Sequence, residues 1–138
     1  MKERATQLLE ADLTRSVIAC FYQVHRALGF GFREYIYALA LERELVDAGH
    51  HVDREVGVTV YYHGRPLARQ VLDMIVDSKL VLEIKTGDRP PPGGTAQLYG
   101  YLCATDLELG LLLFFGPEPK FYRVIFENRL KRRESSRV

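Results

Sequence analysis

The sequence has no surplus of charge of either sign: 19 Lys and Arg stand against 18 Asp and Glu, a net charge of +1. A chain so balanced has no global field to draw in a polyanion, so contact with nucleic acid would have to come from a local site. Cysteine is scarce, at two residues. Cys20 and Cys103 lie in segments that read as apolar helix faces, which suits core packing rather than redox chemistry and points to a reduced, cytoplasmic compartment. The first residues, Met1-Lys2-Glu3-Arg4, lack an apolar signal region. No apolar run approaches the roughly 20 residues of a membrane span. Internal repeats are also missing. At 138 residues the chain makes one domain, able to bury roughly two thirds of the surface its unfolded form exposes. Neither a disulfide nor a metal is needed merely to hold it together.

What is present is organised around residues 70–85, two apolar β-branched runs separated by Asp77-Ser78-Lys79. This pattern predicts a β-hairpin with a three-residue loop centred on Ser78. Val76 then pairs with Leu80, Ile75 with Val81, Met74 with Leu82, and Asp73 with Glu83. Directly opposed residues have Cβ atoms about 4.5–5.5 Å apart, and like charges so placed destabilise a sheet unless a cation compensates. Alternation puts Lys85 on the same face as Glu83.

Elsewhere the periodicity of Val17, Cys20, Phe21, Val24 and Leu28 predicts a helix from Thr14 that Gly29 ends. His25 is expected as a hydrogen-bonded structural residue. A second helix is expected over 32–48, with Tyr37, Ala38, Leu41, Leu45 and Ala48 buried and Glu34 on the same stripe. A carboxylate aimed inward is costly unless paired or metal-bound, although Glu34 in a first turn also favours the helix dipole. Val56, Val58 and Val60 mark a strand, and His63-Gly64 turns the chain into the hairpin. His50, His51 and His63 are expected in solvent. A Pro- and Gly-rich loop follows Lys85 and is expected to be solvated, with a phosphate contact from Arg89 as the alternative. Thr95 is the expected cap of a third helix carrying Gln97 and Tyr101 on one face. Residues 109–115, apolar on both faces, predict a central strand, and 121–126 a last one.

The expected fold is α/β (α+β), a mixed β-sheet flanked by helices in the order ααβββαββ. Residues 1–12 form an arm, 13–128 the domain and 129–138 a basic tail.

Asp73, followed after nine residues by Glu83-Ile84-Lys85, resembles the core of the PD-(D/E)XK nuclease superfamily, with Leu72 where many members carry proline. Gly31-Phe32-Arg33-Glu34-Tyr35-Ile36-Tyr37 is similar to the GxxExxY signature of a small family in that superfamily, as are the segments 25–29 and 97–102. The resemblance covers about residues 13–128. It implies a restriction-endonuclease-like fold, a metal-dependent nuclease, and Glu34, Asp73, Glu83, Lys85 and Gln97 as site residues.

Asp73, Glu83 and the backbone carbonyl of Ile84 are hard oxygen donors of the kind Mg²⁺ or Mn²⁺ prefers. Glu34 is a candidate ligand for a second ion. No thiolate favours zinc. Lys85 would orient the attacking water or stabilise transition-state charge, and Gln97 would hydrogen-bond a water or a phosphate. From spacing alone, an exposed salt-bridge cluster of Asp73, Glu83 and Lys85 accounts for the pattern as well, and an exposed cluster is worth little. The expected function is phosphodiester hydrolysis in DNA or RNA. The alternative is a catalytically weak or inactive module on the same fold that binds nucleic acid or a protein partner. Tyr35, Tyr61, Tyr62 and Tyr99 are candidates for a homo-oligomer interface.

Overall fold

Helical periodicity sets the first layer. In the computed structural model, which describes residues 10–132, α1 (Ala11–Leu28) buries Thr14, Val17, Cys20, Phe21 and Val24. It starts at Ala11 rather than at Thr14, and Gly29 ends it with a left-handed φ of 70°. α2 (Glu34–Asp47) buries Tyr37, Ala38, Leu41 and Leu45, whereas Ala48, expected on that stripe, follows the last helical residue and is exposed. These two apolar stripes cover one face of a sheet.

That sheet comprises β1 (Val52–Tyr62), β2 (Arg65–Val76), β3 (Leu80–Thr86), β4 (Leu109–Phe115) and β5 (Pro119–Ile125), with α3 (Gly94–Cys103) between β3 and β4. The element order is the expected ααβββαββ. Strands lie in the spatial order β1-β2-β3-β4-β5. β3 and β4 pair in parallel, and the other neighbours are antiparallel. A parallel pair needs a crossover, which α3 supplies on the face opposite α1 and α2. Every residue of β4 is buried, so the continuous apolar run is what a strand covered on both faces requires. α3 begins from Gly93, whose φ of 75° is left-handed, and no side chain caps it. Thr95, the expected cap, stands inside the helix.

The β2–β3 register is Met74–Leu82, Ile75–Val81 and Val76–Leu80, as the hairpin pattern predicts. Asp77 and Ser78 take φ of 52° and 56° in the turn. His50, expected in solvent, is instead a joint between three elements. Its Nε2 lies 2.7 Å from Ser16 Oγ on α1, and its Nδ1 lies 2.7 Å from Asp77 Oδ2 at the hairpin tip. Asp77 Oδ1 accepts the His51 N–H at 2.8 Å. Burial pushes the Asp77 carboxyl up, but the hydrogen bonds from His50 and His51, with the charges of His50 and Lys79, outweigh it and hold the group below its ordinary value. His25 is structural as expected, with Nε2 2.8 Å from the Gly116 carbonyl oxygen.

Beyond β5 the chain makes a 3₁₀ turn at Asn128–Leu130. Lys131, the first residue of the basic run, is buried and donates to the carbonyls of Thr105 and Leu107 at 3.1 and 2.6 Å. The arm up to Leu9 and the tail from Arg133 lie outside the described residues.

Candidate active site

The site forms where the sheet changes faces. In β3, Leu80, Leu82 and Ile84 pack with α1 and α2 while Val81 packs with α3, so alternation turns Glu83 and Lys85 toward α3. In β2, Met74 and Val76 belong to the α1–α2 cluster, yet Leu72 belongs to the α3 cluster. Equal parity with opposite faces means that the alternation slips at Asp73. β1 slips at the facing position: Val52 packs on the α1–α2 side and Val56 and Val58 on the α3 side. Between them Glu55 has φ 54° and drops out of the ladder. A local fault of this kind bends a strand and re-aims its side chains.

Asp73 stands in that fault. The β2–β3 ladder stops at Met74–Leu82, so the expected Asp73–Glu83 ladder pair does not form. Asp73 Oδ2 instead accepts the Ile84 N–H at 2.7 Å. The two carboxyls still meet. Burial, then the negative charge of Asp73 and a hydrogen bond with it, push Glu83 up to about 8, against the opposing pull of Lys85 and the Tyr101 hydroxyl. Glu83 is 2% exposed, and its Oε1 is buried with no hydrogen-bond partner among the described residues. An orphaned buried carboxylate oxygen is costly and asks for a proton or a cation.

Tyr101 is the site residue that sequence reasoning passed over, noting it only as a neighbour of Gln97. It is nearly buried, receives the Gln97 Nε2–H at 3.0 Å, and is pushed up to about 12 by burial and by Glu83. The exposed Gln97 therefore reaches Glu83 only through the Tyr101 hydroxyl. Glu34, expected on the buried stripe of α2, is exposed at the first residue of that helix. With Tyr35, Ala38, Arg54, Glu55, Asp73 and Ile84 it lines a cleft of about 180 Å³. Arg54 and Glu55 were not expected there, because the slip that brings them in leaves no mark on the apolar pattern. Arg54 lies 3.5 Å from Glu42 and 3.7 Å from Glu55, and its Nε is buried without a partner. Lys85 is half-buried on the Glu83 face, and Arg89 is exposed in the loop beyond.

A model of the PD-(D/E)XK nuclease superfamily matches residues 11–124. The chain belongs to the PD-(D/E)XK nuclease superfamily. The crystal structure of SSO0001 is similar to this PD-(D/E)XK chain with a TM-score of 0.56 at 23% identity, over 89% of this chain. The chain spans 62% of that protein's length, and at such identity the likeness shows the fold alone. No curated protein matches.

PD-(D/E)XK nucleases typically use divalent metals, and the residues here fit one. Asp73 and Glu83 carry hard carboxyl oxygens, one of which, Glu83 Oε1, has no partner among the described residues. Among the described residues no group of three His, Cys, Asp or Glu side chains is placed to hold an ion. Mg²⁺ suits so few protein ligands, since it keeps several of its waters. Among the described residues no helix is long and apolar enough to cross a membrane.

Proposed function

We propose that this PD-(D/E)XK chain is a nuclease of the GxxExxY type that hydrolyses phosphodiester bonds in nucleic acid with Mg²⁺ or Mn²⁺. The observation that carries the reading is the Asp73–Glu83 pair, in which the buried Glu83 has a carboxylate oxygen that no described residue satisfies. Asp73, Glu83 and the Ile84 carbonyl hold the ion, with Glu34 at the mouth of the cleft for a second one. Such an ion supplies charge neutralisation for the phosphate and acidifies the attacking water.

The remaining roles fall to side chains. Asp73 is fixed by the Ile84 N–H, so its carboxyl group is oriented before any ligand arrives. The Tyr101 hydroxyl, itself held by Gln97, sits against Glu83 and limits its motion. Lys85 places an ammonium beside the carboxylates, where charge builds up as the phosphorus becomes pentacovalent.

A second reading, a binding module without turnover, draws on the lack of a three-residue ligand group among the described residues. Incubation with labelled single- and double-stranded DNA and RNA separates the two. The nuclease reading expects cleavage of at least one substrate in Mn²⁺ and none in excess chelator. Cleavage that survives chelator, or intact substrate with tight binding throughout, contradicts it.

A further inference from the structure

We infer that this site takes strands whose bases are unpaired, stacking them on the rings of Tyr35 and Phe32; the inference rests on the phosphodiesterase reading above. Three large aromatic side chains within six residues of sequence are open to solvent: Phe30 at 44%, Phe32 at 47% and Tyr35 at 58% exposure. They flank Glu34 on the loop after α1 and the first turn of α2. Tyr35 lines the same cleft as Asp73. A base adjoining a phosphate held there would meet its ring.

The platform is built rather than floppy. The Tyr37 hydroxyl donates to the Gly29 carbonyl and accepts the Phe32 N–H, the latter at 3.3 Å. The Phe32 ring packs edge-on against Tyr37, with centroids 6.1 Å apart at 82°. Tyr37 is fully buried and stacks on Phe115 of the central strand at 4.3 Å. The loop is thus anchored to β4 before any ligand binds, and preorganisation of this kind lowers the entropy cost of docking.

Charge decides between a duplex and an open strand. Duplex affinity comes largely from many phosphate contacts, whereas this chain has 19 cationic residues against 18 anionic ones. Arg54, a cation lining the cleft, already lies beside Glu42 and Glu55. A duplex offers an aromatic ring only base edges, because the base faces are already stacked. An open strand offers the faces, and stacking on aromatic side chains is indifferent to sequence.

The test is anisotropy in excess chelator, using a short labelled oligothymidylate, an abasic strand of equal length and a hairpin duplex. The oligothymidylate should bind about 5- to 100-fold more tightly than the abasic strand, the range that base stacking implies, and more tightly than the duplex. Tyr35→Ala should erase most of that difference and Tyr35→Phe should keep it. Equal binding of abasic and thymidylate strands, a duplex bound as tightly, or an unaffected Tyr35→Ala overturns the inference. So does light scattering that shows a dimer dissociated by Tyr35→Ala, since the rings then serve a second copy. Incubating the same strands in Mn²⁺ keeps the two claims apart. Base preference without cleavage contradicts the phosphodiesterase reading alone, and cleavage without base preference contradicts this one alone.

Discussion

Lys85→Ala lowers cleavage at saturating Mn²⁺ by on the order of 10²-fold or more, while the variant stays folded and still binds the metal. β3 alternates regularly through Ile84, so Lys85 and Glu83 share a face, and the ammonium is close enough to pull the Glu83 carboxyl downward. A cation held there acts on whatever negative charge grows beside the carboxylates, and a fixed charge needs no reorganisation at the moment of reaction. Were Lys85 only a partner for Glu83, its loss would push Glu83 further up and weaken metal binding, and saturating metal would restore the rate. A Lys85→Ala rate within a few-fold of the parent at saturating Mn²⁺ sinks the catalytic role.

The second large effect is on stability and pH. Glu83 titrates at about 8 in the folded chain against an ordinary 4.5, so the fold prefers its protonated form. The stability this group contributes is present in full below about pH 4.5 and is lost as pH rises through about 8. In chelator the melting temperature of the parent should therefore fall between pH 5 and pH 9. Mn²⁺ takes the place of the proton, so adding it should flatten that slope. Asp73→Asn removes the negative charge next to Glu83 and keeps an oxygen for the Ile84 N–H. Burial, the larger cause, remains. The variant should melt about 1–4 °C above the parent at pH 9 in chelator, the usual conversion of one repulsive pair in a domain near this size. Near pH 6 the two should agree, because there a shared proton already separates the carboxylates. A parent whose melting temperature is flat with pH, or an Asp73→Asn protein that melts lower at every pH, contradicts this account of the pair.

Most of the architecture was legible because it follows from periodicity. The 3.6-residue stripe of Val17, Phe21, Val24 and Leu28 and the all-apolar run 109–115 each had one reasonable reading, and the structure adopts it. The hairpin register was equally clear up to Met74–Leu82, since a slip of one residue would have turned its apolar set to the wrong face. At Asp73 the pattern stopped being informative. Both strands there change face through a backbone fault at Glu55, and a left-handed glutamate has no compositional mark as a glycine would. That single event explains why Arg54 and Glu55 were unforeseen in the cleft and why Asp73 meets Ile84 through its side chain. His50 was misjudged for another reason. A histidine at a helix end is ordinarily solvated, and only the tertiary approach of α1 and the hairpin tip gives it Ser16 and Asp77 as partners.

On the proposed function, Asp73 and Glu83 form a cation site whose proton a metal replaces. Calorimetric titration of Mn²⁺ at pH 7, in two buffers of different ionisation enthalpy, tests it most directly. Since Glu83 keeps its proton up to about pH 8, the parent should bind Mn²⁺ and release close to one proton per ion. Glu83→Gln should lose both the binding and the proton. Mn²⁺ binding that is unchanged in Glu83→Gln, or that releases no proton from the parent, contradicts the site.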